Sequence, residues 1–220
     1  MTSSRIIIAD DHPLFRDALT HSIRSAVPEA EVVEAGSLDE LTKKLEQSEP
    51  VDLILLDLTM PGVHGLSGLM FLRADHPEIP VVVVSASEDP VTIRRCLECG
   101  ALGFVPKSAP EKQIREAVQA VMAGQVWTPP GLELPQDKDR ETRDMIARIA
   151  TLTPQQIRVL MMLEDEGISN KLIAYRFGVK EATIKAHVSE ILRKLNVDNR
   201  TQASNAFKRI SNLDWQKPKA

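Results

Sequence analysis

Four consecutive valines, Val81 to Val84, place the strongest constraint on what this chain can fold into. Valine is branched at Cβ, which stiffens the side chain and favours extended backbone over helix. Because the run has no polar residue at alternate positions, neither face of such a strand is suited to water. Strands of this composition occur in parallel sheets whose two faces are covered by helices. The run therefore predicts a central strand of a parallel sheet.

The rest of the first 123 residues alternates strand and helix patterns. Apolar runs predict strands over 5–9, 31–35, 52–57, 80–84 and 102–105. Amphipathic segments predict helices over 13–26, 37–48, 65–75, 89–99 and 110–123. This alternation predicts a doubly wound α/β fold with right-handed crossovers. In the flavodoxin-like strand order 2-1-3-4-5, the carboxyl ends of neighbouring strands meet at one edge of the sheet.

The composition changes after this α/β segment. Gly124 follows the fifth helix, and the stretch 127–140 is rich in proline and charge, as linkers are. From Thr153 onward the chain predicts short helices, the first opened by a capping box that Gln156 completes. Short helices joined by a glycine-containing turn are typical of a helix-turn-helix. We predict an α/β domain over 1–123, a linker over 124–147 and a small all-α domain over 148–213.

The net charge of −4 conceals two oppositely charged parts. Residues 1–123 hold 11 basic and 19 acidic side chains, a net charge of −8. Residues 151–220 hold 12 and 7, a net charge of +5, which suits the phosphates of a nucleic acid. No apolar run approaches the ~20 residues of a membrane helix, and the first residues show no signal peptide. We therefore expect a cytoplasmic protein that does not bind membranes.

Charged and polar side chains follow four of the predicted strands. Asp10 and Asp11 follow the first strand, Asp57 ends the third, Ser85 follows the fourth and Lys107 follows the fifth. Acids that meet at one edge repel each other unless a cation joins them, and Mg²⁺ prefers such oxygen ligands. An aspartate can accept a phosphoryl group, whose oxygens a metal, a lysine and a hydroxyl would stabilise. Each residue alone is more typical of a helix cap or a solvated surface, but together they predict a phosphoacceptor site.

These residues stand in motifs that resemble a bacterial response-regulator receiver domain. The motifs are Ala9-Asp10-Asp11-His12, Leu56-Asp57-Leu58-Thr59-Met60-Pro61-Gly62, Val84-Ser85-Ala86 and Gly100-Ala101-Leu102-Gly103-Phe104-Val105-Pro106-Lys107. The resemblance implies that a partner histidine kinase phosphorylates Asp57. It also implies Mg²⁺ held by Asp11, Asp57 and the backbone carbonyl of Thr59, with Asp10 acting mainly through water. Phe104 matches an aromatic switch position that is coupled to Ser85.

The third predicted helix of the basic domain, over about 181–195, has one apolar face. Ile184, Val188, Ile191 and Leu195 recur at helical spacing and predict the buried side. The opposite side carries Ala182, Ala186, Ser189, Arg193 and Asn196, with Lys185 on its flank. Small side chains allow close approach to a DNA groove and the cations supply charge, so the pattern favours a recognition helix over a merely solvated face.

The basic domain resembles a LuxR-type DNA-binding domain. The motifs are Leu152-Thr153-Pro154, Gly167-Ile168-Ser169-Asn170-Lys171, Ala182-Thr183-Ile184-Lys185-Ala186-His187-Val188 and Lys194-Leu195-Asn196-Val197. The resemblance assigns base contacts to Lys185, Ala186 and Ser189, and phosphate contacts to Ser169, Asn170, Lys171, Thr183 and Arg193. Three positions depart from the pattern: Gln156 and Leu172 each replace a usual glutamate, and Ser189 stands where some relatives have a long basic side chain.

With both domains, the chain resembles a two-component response regulator of the NarL/FixJ type. This implies a DNA-binding transcriptional regulator, switched by Mg²⁺-dependent phosphorylation of Asp57, that forms a homodimer when active. It is not expected to be an enzyme beyond accepting and losing its own phosphoryl group. Two alternatives stay open: a metal-dependent phosphohydrolase, although Thr59 stands where a general acid is needed, and a phosphorylation-independent regulator of the same architecture.

Overall fold

A computed structural model describes residues 4–47, 49–134, 140–165 and 167–211. The strands are β1 (Arg5–Ala9), β2 (Glu31–Ala35), β3 (Leu53–Asp57), β4 (Val81–Ser85) and β5 (Gly103–Pro106). They form one parallel sheet in the order β2-β1-β3-β4-β5, so the predicted flavodoxin-like order is confirmed. The valine run lies in β4, between β3 and β5, and is fully buried.

Five helices cover the two faces of the sheet. They are α1 (Pro13–Ala26), α2 (Leu38–Leu45), α3 (Ser67–Asp75), α4 (Pro90–Glu98) and α5 (Glu111–Met122). Alternate strand residues point to opposite faces, so Ile6 and Ile8 join one core with α1 and α5, while Ile7 joins the other with α2, α3 and α4. Helix α2 ends at Leu45, and residue 48, where its end was predicted, lies outside the described residues. Cys96 on α4 is buried and Cys99, just after the helix, is half-buried; both are free thiols.

The C-terminal part consists of helices. They are α6 (Arg140–Ile149), α7 (Pro154–Met162), α8 (Asn170–Phe177), α9 (Glu181–Leu195) and α10 (Arg200–Ser211). The capping box at Thr153 and Gln156 forms as predicted, with a hydrogen bond in each direction. Helix α6 crosses the boundary predicted between linker and second domain, so that boundary stays a prediction. Residues 1–3, linker residues 135–139 and the predicted domain end at 212–213 lie outside the described residues.

The two parts of the chain pack against each other through α3 and α7. The guanidinium of Arg158 on α7 lies 5.6 Å from the ring centre of Phe71 on α3 and 5.9 Å from that of Phe177 on α8. Nearby, the backbone N–H of Leu66 donates to the carbonyl of Ser211, at the end of α10, over 3.3 Å. The loop between β3 and α3 therefore touches the helical domain directly. Among the described residues, no helix has both the length and the apolar composition to cross a membrane.

The start of α3 has no room for a larger residue at Gly68. A Cβ there would lie 2.8 Å from Cγ2 of Val63, too close for any contact. Gly68→Ala should lower the midpoint of thermal unfolding by about 2–4 °C, because overpacking costs roughly 1 kcal/mol or more in a chain of this size. Gly36→Ala is the matched control, since its nearest neighbour would lie at an ordinary 3.6 Å. If Gly68→Ala lowered the midpoint no more than Gly36→Ala does, the tight packing of Val63 against Gly68 would be contradicted.

Candidate functional site

The site is centred on Asp57, the last residue of β3. In the sheet Asp57 lies opposite Val84 of β4, so its side chain stands at the carboxyl edge, where it is 1% exposed. One carboxylate oxygen, Oδ2, accepts a hydrogen bond from Oγ1 of Thr59 at 2.6 Å and one from Nζ of Lys107 at 3.0 Å. The other oxygen, Oδ1, has no hydrogen-bond partner among the residues that the structure describes.

Lys107 connects two of the acids. It follows β5, and its Nζ lies 2.7 Å from Oδ2 of Asp10 as well as 3.0 Å from Asp57. The same ammonium group lies 4.9 Å from the ring centre of Phe15 on α1, in a cation–π contact. The predicted convergence of Asp10, Asp57 and Lys107 is therefore observed. Phe15 was not predicted, because its place on the apolar face of α1 carries no sign of this contact.

The acids form a cluster with one histidine. Ligand atoms of Asp10, Asp11, His12 and Asp57 all lie within 4.8 Å of one another, a grouping that could hold a metal ion. His12 is 64% exposed, and its Nδ1 lies 2.7 Å from Oδ1 of Asp11 and 3.2 Å from Oδ1 of Asp10. The donor set fits a hard divalent cation, because it consists mainly of carboxylate oxygens and includes the buried, unpaired Oδ1 of Asp57. His12 is therefore an exposed histidine that lies beside the acids.

The electrostatics of the site favour an added positive charge. Burial raises the pKa of Asp57, and this effect outweighs the hydrogen bond from Thr59 and the charge of Lys107, both of which lower it. Burial alone would lower the pKa of Lys107, but its hydrogen bonds and charge interactions with Asp10 and Asp57 raise it overall. The charge of Lys107 therefore does not offset the rise in the pKa of Asp57 that burial causes. A bound cation would offset it.

Arg16 holds the acidic loop after β1 in place. Its NH1 donates to the backbone carbonyl of Asp10 at 2.7 Å, and its Nε pairs with Glu34 at the end of β2 at the same distance. The backbone on which Asp10 and Asp11 stand is thereby tied to the neighbouring strand. The sequence did not indicate this role, because Arg16 lies on the polar side of α1 and its partner is 18 residues away.

Ser85, Phe104 and Thr59 lie where the strands place them. Ser85 ends β4 and is buried; its hydroxyl accepts from the backbone N–H of Ser87, and its carbonyl accepts from the N–H of Lys107 at 2.7 Å. Phe104 on β5 is fully buried, so its side chain already occupies an inward position. The contact observed for Thr59 is made by its hydroxyl to Asp57, whereas its carbonyl had been predicted as a metal ligand.

The predicted recognition helix is α9. Ile184, Ile191 and Leu195 are buried and Val188 is half-buried, which confirms the predicted apolar side. The residues predicted to contact DNA from this helix are exposed: Thr183, Lys185, Ala186, Ser189 and Arg193. Two of them form ion pairs within the helix, Lys185 with Glu181 at 3.0 Å and Arg193 with Glu190 at 2.8 Å.

The start of α8 lies next to this surface in the helix-turn-helix. Ser169 caps α8 by accepting from the N–H of Leu172, and Lys171 is exposed, whereas Asn170 is half-buried. The α3–α7 contact between the two domains leaves the outer side of α9 uncovered by the residues that the structure describes.

Two protein families match the chain, one on each domain. The family described as response regulator receiver domain matches residues 6–119, and the family described as bacterial regulatory proteins, luxR family, matches residues 150–206. Together with the fold and the acidic edge, these matches show that the chain belongs to the response regulators that carry a LuxR-type DNA-binding domain. It is a DNA-binding transcriptional regulator, and the phosphohydrolase alternative is not favoured.

Within this family the chain is similar to proteins of several bacteria. It is 45% identical over 205 residues to the glycerol metabolism activator of Pseudomonas putida, covering 90% of this chain and 92% of that one. It is 32% identical over 205 residues to the nitrate/nitrite response regulator protein NarL of Escherichia coli K12, with the same coverage. Among solved structures, Salmonella enterica RcsB bound to a promoter shares the fold, with a TM-score of 0.55, 22% identity and coverage of 94% of this chain and 98% of that one.

The raised pKa of Asp57 predicts how this site affects stability. A carboxyl whose pKa is higher in the folded than in the unfolded state stabilises the fold below its unfolded pKa, and this contribution disappears as the pH rises through the folded pKa. At neutral pH, Asp57→Asn should therefore raise the midpoint of thermal unfolding, and the gain should shrink at acid pH. Asp17→Asn, at an exposed position of α1, should change little. A lower midpoint for Asp57→Asn at neutral pH would contradict the assignment.

Proposed function

We propose that the chain is a transcriptional activator whose DNA binding is controlled by phosphorylation of Asp57 by a partner histidine kinase. The observation that carries the proposal is the environment of Asp57: a buried carboxylate with Oδ2 bound by Lys107 and Thr59, and with Oδ1 lacking a hydrogen-bond partner among the described residues. Activation, rather than repression, is supported by the name of the 45% identical relative, a glycerol metabolism activator. A DNA-binding regulator of this kind acts in the cytoplasm, where bacterial DNA lies.

The phosphoryl group would pass from a histidine nitrogen of the kinase to a carboxylate oxygen of Asp57. The P–N bond breaks as the P–O bond forms, and the nitrogen leaves with its electron pair and then binds a proton. Lys107 and the Ser85 hydroxyl are placed at the same sheet edge to stabilise the transferring oxygens. Mg²⁺ held by Asp10, Asp11, Asp57 and the carbonyl of Thr59 supplies further positive charge when bound.

The phosphate would influence the helical domain through the β3–α3 loop and the α4–β5–α5 surface. Thr59 and Leu66 belong to the same loop; the first contacts Asp57 and the second contacts the end of α10 at Ser211. Ser85 and Phe104, the predicted switch pair, would couple Asp57 to the surface formed by α4, β5 and α5. A coupling of about 1–3 kcal/mol is enough to shift populations roughly 5- to 150-fold.

Dimer formation is the favoured means of control. The outer side of α9 is already exposed in the described residues, so uncovering it does not require separation of the two domains. A homodimer would instead place two α9 helices on half-sites about one turn of DNA apart. Lys185, Ala186 and Ser189 would then contact bases, while Ser169, Asn170, Lys171, Thr183 and Arg193 contact phosphates.

Asp57→Asn should abolish phosphorylation by a small phosphodonor such as acetyl phosphate, because an amide oxygen does not form an acyl phosphate. Phosphoprotein can be measured by intact mass. Asp17→Asn should keep full labelling, and removal of divalent cations with EDTA should suppress labelling of the unaltered chain. Undiminished labelling of Asp57→Asn would place the phosphoryl group on another residue and refute the proposal.

Lys185→Ala should weaken binding to a DNA site selected from random sequence by about 1–3 kcal/mol, the usual contribution of one base contact. Lys112→Ala is a matched control on α5, because it also removes an exposed lysine paired with a glutamate one turn away. Gel-shift titration of both variants measures the difference. Equal affinity of the two variants would show that α9 does not read bases through Lys185.

A further inference from the structure

The imidazole ring of His12 interacts with the acidic edge and not with the helix that follows it. His12 is the N-cap residue of α1, but its side chain makes no capping hydrogen bond to that helix. Its backbone N–H donates instead to Oδ1 of Asp10 over 2.8 Å, which holds the residue beside the acid. The ring Nδ1 lies 2.7 Å from Oδ1 of Asp11 and 3.2 Å from Oδ1 of Asp10. A ring nitrogen and two carboxylate oxygens therefore lie close together at the start of α1.

Lys107 uses only one oxygen of each carboxylate that it contacts. Its Nζ lies 2.7 Å from Oδ2 of Asp10 and 3.0 Å from Oδ2 of Asp57. Oδ1 of Asp10 is the atom that contacts the His12 ring. Oδ1 of Asp57 is buried and lacks a hydrogen-bond partner among the residues that the structure describes. The second oxygen of Asp57 is therefore left for another positive group, whatever the number of acids around it.

The separations within this group are close to those of atoms bound to one metal ion. Ligands about 2.1 Å from an octahedral ion lie about 3.0 Å apart when they are neighbours and about 4.2 Å apart across the ion. The contacts of the His12 ring, at 2.7 and 3.2 Å, match the first of these distances, and ligand atoms of all four residues lie within 4.8 Å of one another. A nitrogen lone pair and a carboxylate oxygen repel each other at 2.7 Å unless a proton or a metal ion lies between them.

A nitrogen ligand changes which ion such a site favours. Carboxylate and carbonyl oxygens suit Mg²⁺, whereas imidazole suits transition ions such as Ni²⁺ and Zn²⁺. Mg²⁺ keeps several of its waters and does not need a ring nitrogen. Three carboxylates with one imidazole therefore bind a divalent transition ion more tightly than the carboxylates alone, with little effect on Mg²⁺. A hydrogen bond from His12 to Asp11 without a role in metal binding would produce no such difference between the ions.

We propose that His12 is a metal ligand at the acidic edge and that it strengthens the preference of this site for a divalent transition ion over Mg²⁺. This inference rests on the metal site of the proposed function, because the same three acids, Asp10, Asp11 and Asp57, would hold either ion. The two ions compete for one site, so the supply of the transition ion decides which of them lies beside Asp57.

The test measures the binding of Mg²⁺ and of Ni²⁺ separately, by isothermal titration calorimetry on the full chain without an affinity tag. His12→Asn should weaken Ni²⁺ binding at least about tenfold, because loss of even an indirect partner of a metal site costs about 10- to 100-fold. Mg²⁺ binding should stay within about twofold, since Mg²⁺ does not depend on imidazole. Asparagine is favoured at a helix N-cap, so the variant keeps the start of α1, which thermal unfolding checks. His21→Asn is the matched control, because it removes another exposed histidine from α1 and should change neither affinity.

Two further measurements locate the bound ion. Asp57→Asn should weaken the binding of both ions, because it replaces a charged ligand of the shared site with a neutral one. Excess Mg²⁺ should displace Ni²⁺ from the unaltered chain, as expected when the two ions bind the same acids.

Four results would overturn the inference: unchanged Ni²⁺ affinity of His12→Asn, an equal loss of Ni²⁺ and Mg²⁺ affinity in that variant, Ni²⁺ binding no tighter than Mg²⁺ binding in the unaltered chain, or Ni²⁺ that excess Mg²⁺ does not displace. The last result would place Ni²⁺ at another part of the chain. Failure of the proposed function is distinguishable, because the unaltered chain would then bind no Mg²⁺ or would not be phosphorylated in its presence, whatever the effect of His12→Asn.

Discussion

The ion pairs of Lys107 with Asp57 and Asp10 are the interaction around which the acidic edge of the sheet is arranged. Parallel strands bring their carboxyl ends to one edge, and the sheet order places the ends of β1, β3 and β5 close enough for one ammonium group to reach two carboxylates. The cluster is nevertheless short of positive charge, since burial still raises the pKa of Asp57. An edge of this kind favours any group that brings positive charge.

The second constraint is that the responsive edge and the helical domain share a loop. Thr59 and Leu66 lie seven positions apart in that loop, one bonded to Asp57 and the other to Ser211. Arg158 adds a contact to both domains at once, because it lies between the rings of Phe71 and Phe177. The residue that is hydrogen-bonded to Asp57 and the residue that contacts the helical domain therefore belong to one short segment of chain. Any shift in those bonds alters a packed boundary rather than a solvated loop, and packed boundaries tend to have discrete arrangements.

Much of this structure could be predicted from local patterns, and the parts that could not depend on distant residues. The Val81–Val84 run and the helical spacing of Ile184, Ile191 and Leu195 each report burial directly, so a central strand and the buried side of α9 could be predicted from them. Asp57 and Lys107 could be placed because strand ends meet in a known way. The contacts of Phe15 with Lys107 and of Arg16 with Asp10 depend on how α1 lies against the sheet. Periodicity shows that α1 has an apolar side but not which polar group each side chain reaches.

The helical domain has two surfaces of different physical character. The side of α7 that faces α3 packs against the α/β domain through Arg158, so it is suited to receiving a signal from Asp57. The outer side of α9 is polar and exposed, with small side chains between Lys185 and Arg193, and is suited to a DNA groove. The start of α8, with Ser169 and Lys171, lies beside this surface and carries side chains predicted to contact phosphates. The side of the domain that packs against α3 and the side predicted to meet DNA therefore belong to different helices, α7 and α9.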